Sequence, residues 1–151
     1  MMALHADDII RILDLEPLPH EGGMWTQSYK DRHSSAIYFL IRAGDFSAMH
    51  RLTGPEIWHF YAGAPAQMLM LFPDGIVREP ILGIDLARGQ CPQIVAPSGV
   101  WQGASSTGAW SLLGTTMAPP YRDDGFELGT ADALGSEFPG VSERIRTLTR
   151  G

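Results

Sequence analysis

The sequence holds one cysteine, Cys91, among its 151 residues. No disulfide can form within the chain, which excludes a small secreted scaffold stapled by disulfides and fits a reducing, cytoplasmic setting. Long apolar runs are missing too. Met1 to Leu15 mixes His5, Asp7, Asp8, Arg11 and Asp14 with apolar residues, which makes neither a signal-peptide core nor a stretch of membrane-spanning length, so no membrane partner is expected. Positive charge is scarce: 11 Lys and Arg against 17 Asp and Glu give a net charge of -6. That is the wrong sign for a phosphate backbone, so no nucleic acid is expected as a partner. What the chain does have is 44% hydrophobic residues with 17 Gly and 11 Pro spread along it. This suits one domain over residues 1–151 built from many short, punctuated elements.

Ile9, Ile12 and Leu13 fall at helical spacing, with Asp7 and Asp8 in the early turns, and predict a short helix over Ala3 to Leu13. From Met24 the pattern changes to short β-branched and aromatic runs bounded by Gly, Pro or Asp. Predicted strands are Met24 to Tyr29, Ala36 to Ile41, Phe46 to Leu52, Ile57 to Ala62, Gln67 to Phe72, Val77 to Leu82, Gln93 to Val95, Val100 to Ala104 and Trp110 to Thr116. Turn signals such as Thr53-Gly54-Pro55, Pro73-Asp74-Gly75 and Ala96-Pro97-Ser98-Gly99 separate them. Strands this short and this evenly punctuated predict an all-β sandwich or barrel. Helical spacing returns over Pro139 to Leu148.

One segment carries chemistry. From Gly44 to Gly63 the chain reads Gly, five residues, His50, one, Leu52, three, Glu56, six, Gly63. This resembles the first motif of the cupin superfamily, Gly-x5-His-x-His-x3-Glu-x6-Gly, with Leu52 in place of the second His. The second cupin motif is echoed by Pro97-Ser98-Gly99-Val100-Trp101-Gln102, with Gln102 in place of its His, Cys91 of its leading Gly and Ser106 of its Asn. Glu21-Gly22-Gly23-Met24-Trp25, Ser34 to Leu40, Glu56 to Gly63, Leu82 to Leu86 and Phe126-Glu127-Leu128-Gly129 are similar to a small-cupin family catalogued as predicted sugar epimerases. The resemblance implies a cupin jelly-roll barrel with short N- and C-terminal helices, a homodimer, and a small-molecule ligand inside the barrel.

Residues two apart on a strand face the same way, so His50 and position 52 share a face and Glu56 enters from the next strand. Metal-binding cupins use three His and one Glu. Here a metal would rest on His50, Glu56 and Gln102, a poor set for a first-row ion. No cofactor is therefore expected beyond a weakly held divalent metal. His59 could replace a lost ligand, but alternation sets it on the opposite face from Glu56.

Without a metal, His50 is a base near neutral pH and Glu56 its partner. Epimerases that share the cupin fold pair such a His with a Tyr across the barrel, and Tyr38, Tyr61 and Tyr29 are candidates. Tyr38 takes the catalytic place in this reading. Trp58, Gln102, Trp101, Tyr61 and Met68 shape the substrate pocket. The function expected is an isomerase or epimerase acting on a sugar-like or carbonyl-bearing molecule. The alternatives are a metal-dependent, dioxygenase-like enzyme and a non-catalytic ligand-binding or sensing module.

Overall fold

The computed structural model describes residues 3–150. Helix α1 (Ala6–Leu13) starts later than the periodicity predicts, because the backbone N–H of His5 is capped by Asp8 Oδ2 at 3.0 Å. The strands follow in chain order: β1 (Glu16–Pro17), β2 (Met24–Lys30), β3 (Ser35–Arg42), β4 (Ser47–Leu52), β5 (Glu56–Gly63), β6 (Ala66–Leu71), β7 (Val77–Arg78), β8 (Ile81–Leu82), β9 (Gln93–Ala96), β10 (Trp101–Ser106), β11 (Trp110–Met117) and β12 (Phe126–Leu128). Helices α2 (Ala131–Glu137) and α3 (Ser142–Thr147) follow them.

The strands form two antiparallel sheets. The first runs β1-β2-β3-β11-β5-β9, and the second runs β12-β4-β10-β6-β7 with β8 also paired to β6. Between them lies the main core of Phe39, Ile41, Trp58, Met68, Met70 and Leu113, together with smaller residues. Each outer face is covered in a different way. Helix α1 lays Ile9 on the outside of the first sheet, against Met24 and Leu40. Helices α2 and α3 bring Leu134 and Ile145 onto the outside of the second, against Met49, Leu69, Leu71 and Trp101. This explains β6, whose Met-Leu-Met-Leu run has no polar alternation: Met68 and Met70 face the barrel while Leu69 and Leu71 face the helices.

The elements depart from the expected ones where local chemistry intervenes. The stretch Val77 to Leu82 is two short strands rather than one, since Glu79-Pro80 interrupts it and proline has no N–H for the ladder. The predicted helix over Pro139 to Leu148 divides into a 3₁₀ turn, Pro139–Val141, and α3. Helix α2 precedes it, its first turn capped by Thr130 Oγ1 accepting from the Ala133 N–H at 3.3 Å. Among the described residues no helix is long and apolar enough to cross a membrane.

Candidate functional site

His50 lies on β4, where the strand does not run regularly. Against β10 the register pairs Gln102 with His50 and Ala104 with Ser47, so three steps on β4 match two on β10. This bulge lets Ser47 and His50, which simple alternation would put on opposite faces, both reach one carboxylate. That carboxylate is Glu21, in the loop leading into β2. Its Oε2 accepts from Ser47 Oγ at 2.7 Å, and its Oε1 lies 3.7 Å from His50 Nε2. The loop backbone is fastened to the same strand, with the Ala48 N–H donating to the Glu21 carbonyl at 2.8 Å.

Glu56 opens β5 and brings its Oε1 to 4.0 Å from the same Nε2. His50 is 1% exposed, and its ring stacks on Phe126 of β12, with centroids 5.3 Å apart. Its Nδ1 sits 2.7 Å from the Ala48 carbonyl. A carbonyl only accepts, so Nδ1 carries a proton, and Nε2 is left facing two carboxylates. Glu56 Oε1 is buried and has no hydrogen-bond partner among the described residues.

These surroundings reverse the protonation expected for His50. Burial alone pulls an imidazole down, but the charges of Glu21 and Glu56 and the bond to Ala48 outweigh it and raise His50 to about 9. The ring is an imidazolium at neutral pH. Glu21 is also raised: burial drives it up, His50 draws it down, and Glu56 drives it up again.

The remaining expected residues divide by face. Trp58 and Gln102 meet inside the barrel, where Trp58 Nε1 donates to Gln102 Oε1 at 2.6 Å. That bond occupies the amide oxygen that was expected to serve a metal. Met68 is fully buried in the main core, a filler rather than a pocket wall. Trp101 points the other way from Gln102, into the cluster under α2 and α3, with the Arg51 guanidinium 4.6 Å from its ring centroid. Tyr38 and Tyr61 lie outside the first sheet, edge to face with centroids 6.0 Å apart. Tyr38 packs with the α1 cluster and Tyr61 stacks on His59, whose Nε2 is 2.9 Å from Thr116 Oγ1. The expected catalytic place of Tyr38 and the pocket places of Tyr61 and Trp101 are therefore corrected, because strand parity turns all three away from the lumen.

Sequence reasoning missed two residues. Glu21 stood in plain view beside Gly22-Gly23, but a loop has no periodicity to aim it. Tyr121 follows Pro119-Pro120 after β11. Its backbone N–H donates to Ser35 Oγ at 2.9 Å and its carbonyl accepts from Lys30 Nζ at 3.2 Å. Burial first, then Asp123, Glu21 and Glu56, push its phenol up to about 12, so it stays protonated. Tyr121 lines a cavity of about 80 Å³ with Leu52, Met117, Pro119 and Arg122. Glu21, His50 and Glu56 do not line that cavity. It borders them through Leu52, two residues from His50, and Met117, the β11 partner of Glu56.

The donor chemistry does not fit a cupin metal centre of three His and one Glu. Leu52 is apolar, Gln102 Oε1 is engaged by Trp58, and a metal would have to displace a tightly held proton from His50. Among the described residues no group of three His, Cys, Asp or Glu side chains is arranged to hold an ion.

The family model Cupin_5, described as Cupin superfamily (DUF985), matches residues 7–129. No curated protein matches the chain. Among solved structures, a protein from Shewanella oneidensis is 36% identical over 98% of this chain and 99% of its own, with a TM-score of 0.92. A hypothetical protein from Leishmania major is 24% identical over 98% of this chain and 100% of its own, with a TM-score of 0.88. An oxalate decarboxylase of Bacillus subtilis shares the fold at 11% identity, over 90% of this chain and 38% of its own, with a TM-score of 0.62.

Proposed function

The chain belongs to the cupin superfamily, in its family Cupin_5 (DUF985), and from that premise we propose that it is an acid–base enzyme of the isomerase or epimerase type, acting on a sugar-like or carbonyl-bearing small molecule. The observation that carries this reading is the imidazolium of His50 set against two carboxylates, one of which, Glu56, keeps a buried oxygen free of any donor among the described residues. A buried cation and a carboxylate oxygen without a donor are suited to separate roles, one steadying negative charge and the other accepting a proton.

The roles differ from those expected from sequence. His50 donates a hydrogen bond from Nε2 to the carbonyl oxygen of the substrate and stabilises the negative charge that grows there. Glu56 Oε1 takes the proton from the neighbouring carbon: the C–H bond breaks, an O–H bond forms on the carboxylate, and the electron pair moves into an enolate. Tyr121, protonated and coupled in charge to both carboxylates, returns a proton to carbon: its O–H bond breaks, the enolate electron pair forms the new C–H bond, and solvent then reprotonates the phenolate and takes the proton from Glu56. Glu21 keeps His50 charged throughout.

The test is deuterium wash-in. A panel of aldoses, ketoses and keto-sugar nucleotides is incubated with the protein in D₂O and followed by proton NMR. Exchange at the carbon beside the carbonyl is expected, with a loss of about 100-fold or more in Glu56→Gln, as for removal of a general base. Saturable binding with no exchange would leave a non-catalytic binding module in place of this reading.

A further inference from the structure

Glu21 acts on His50 from a loop, so something must hold that loop in place, and the group that does so lies beyond α3. Arg150 Nη2 reaches three oxygens at once: Phe46 O at 2.8 Å, Asp45 Oδ1 at 2.8 Å and Glu21 O at 3.3 Å. Its guanidinium also lies 4.0 Å from the Phe46 ring centroid. Asp45 completes the clamp from its other side, since its Oδ2 accepts from the Gly23 N–H at 2.9 Å. One guanidinium thus ties the carbonyl of Glu21 to the turn that enters β4, a turn that leads within two residues to Ser47.

Gly22 shows that the fit is close. Its φ is +95°, and a Cβ there would collide with Arg150 Nη2 and stand 2.6 Å from Phe46 O. A side chain at this position would expel the guanidinium from its seat. The glycine thus serves two needs, a backbone conformation open to glycine and the space the cation occupies.

We infer that Arg150 is a positioning residue for the candidate site: it fixes the Glu21 loop against β4 and so sets the Glu21 carboxylate on the imidazole of His50. It touches no reacting atom. The inference concerns the same site as the reading above, but it rests on the clamp geometry and needs no substrate to test. The groups that face the His50 ring are Glu21 from the loop, Glu56 from β5, the Ala48 carbonyl and Phe126, with Tyr121 coupled in charge to both carboxylates beyond them. Arg150 reaches the ring only through Glu21.

The experiment follows the ¹⁵N resonances of the His50 imidazole against pH in the full chain. Variants are Arg150→Ala, Arg150→Lys, Glu21→Gln and the double variant Glu21→Gln with Arg150→Ala. Arg150→Ala is expected to weaken proton binding at His50 about tenfold, which lowers the titration midpoint by about one on the pH scale. Arg150→Lys, a cation without the planar fork, should fall between it and the wild type, and it serves if the alanine variant does not fold. In the Glu21→Gln background the second substitution should move the midpoint no further. A lower melting temperature with an unmoved His50 midpoint would overturn the inference, as would an equal displacement with Glu21 already replaced. Because no ligand is present, a negative deuterium wash-in would leave this result standing.

Discussion

Ser47 and His50 are three residues apart on one strand, yet both reach the carboxylate of Glu21, the hydroxyl at 2.7 Å and the imidazole at 3.7 Å. Regular alternation forbids this pairing, and the β4 bulge provides it. The site is thus organised around a backbone irregularity and a loop carboxylate, with Glu56 as the second carboxylate on His50.

The first prediction concerns pH and stability. His50 is raised from 6.5 to about 9 in the fold, so its contribution is fully present below about pH 6.5 and is lost as pH rises through about 9. Glu21 is raised as well and acts in the same direction, because the folded form holds the proton more tightly. A tenfold difference in proton affinity between the folded and unfolded chain is worth about 1.4 kcal/mol. Urea unfolding at pH 6, 7.5 and 9.5 should show falling stability, and His50→Gln should flatten the upper part of that slope. A stability that rises with pH over this range would contradict the charge arrangement.

Ser47→Ala removes the hydroxyl from Glu21 Oε2 and leaves a largely buried acceptor unpaired. A loss of about 1–3 kcal/mol is expected by chemical denaturation. The Glu21 carboxyl should also titrate higher than in the wild type, since the lost bond favoured its charged form. Carboxyl ¹³C NMR reads this second effect directly.

Trp58→Phe should cost about 1–3 kcal/mol, because Gln102 Oε1 would be left buried without its donor. Replacing both partners should cost less than the two single losses combined. A double-mutant cycle of Trp58→Phe with Gln102→Leu measures the coupling, and strict additivity would mean that the 2.6 Å bond contributes nothing.

Two tyrosines should behave differently. Tyr121→Phe is expected to slow deuterium exchange at least tenfold, within the range of a lost proton donor. Tyr38→Phe, on the outer face, should leave the exchange rate unchanged. The opposite order would return the acid role to Tyr38.

Metal content is the cheapest check on the donor set. Elemental analysis of untagged protein purified without chelator is expected to find well under one first-row metal per chain. Stoichiometric metal that disappears in His50→Ala would show that Glu21, His50 and Glu56 rearrange to bind it, and would move the chemistry toward a Lewis acid.

The barrel was legible because short β-branched and aromatic runs are set off by turn residues along the chain. Glu56 and Trp58 on β5 and Gln102 on β10 share the inner face, as alternation requires, and the cupin spacing drew attention to His50. The helix pair on the second sheet was harder to see, since α2 is short and contains Gly135. Tyr61 is five residues from Glu56 and Trp101 is next to Gln102, so parity places both on the outer faces, where the aromatic rings pack away from the lumen. Glu21 and Tyr121 lie in loops, where position is set by contacts distant in sequence and no local pattern reports it.

The backbone of Met49, inside the bulge, takes its hydrogen bonds from far along the chain: its N–H donates to Leu148 O and its carbonyl accepts from the Gly129 N–H, each at 2.8 Å. During synthesis His50 and Glu56 emerge early, but the strand that aims His50 cannot close until the segment after α3 has left the ribosome. Such long-range closure makes for slow folding. It also means that a chain made only as far as β11 lacks the partners that hold the strand carrying His50, so the cluster of Glu21, His50 and Glu56 waits on Gly129 and Leu148.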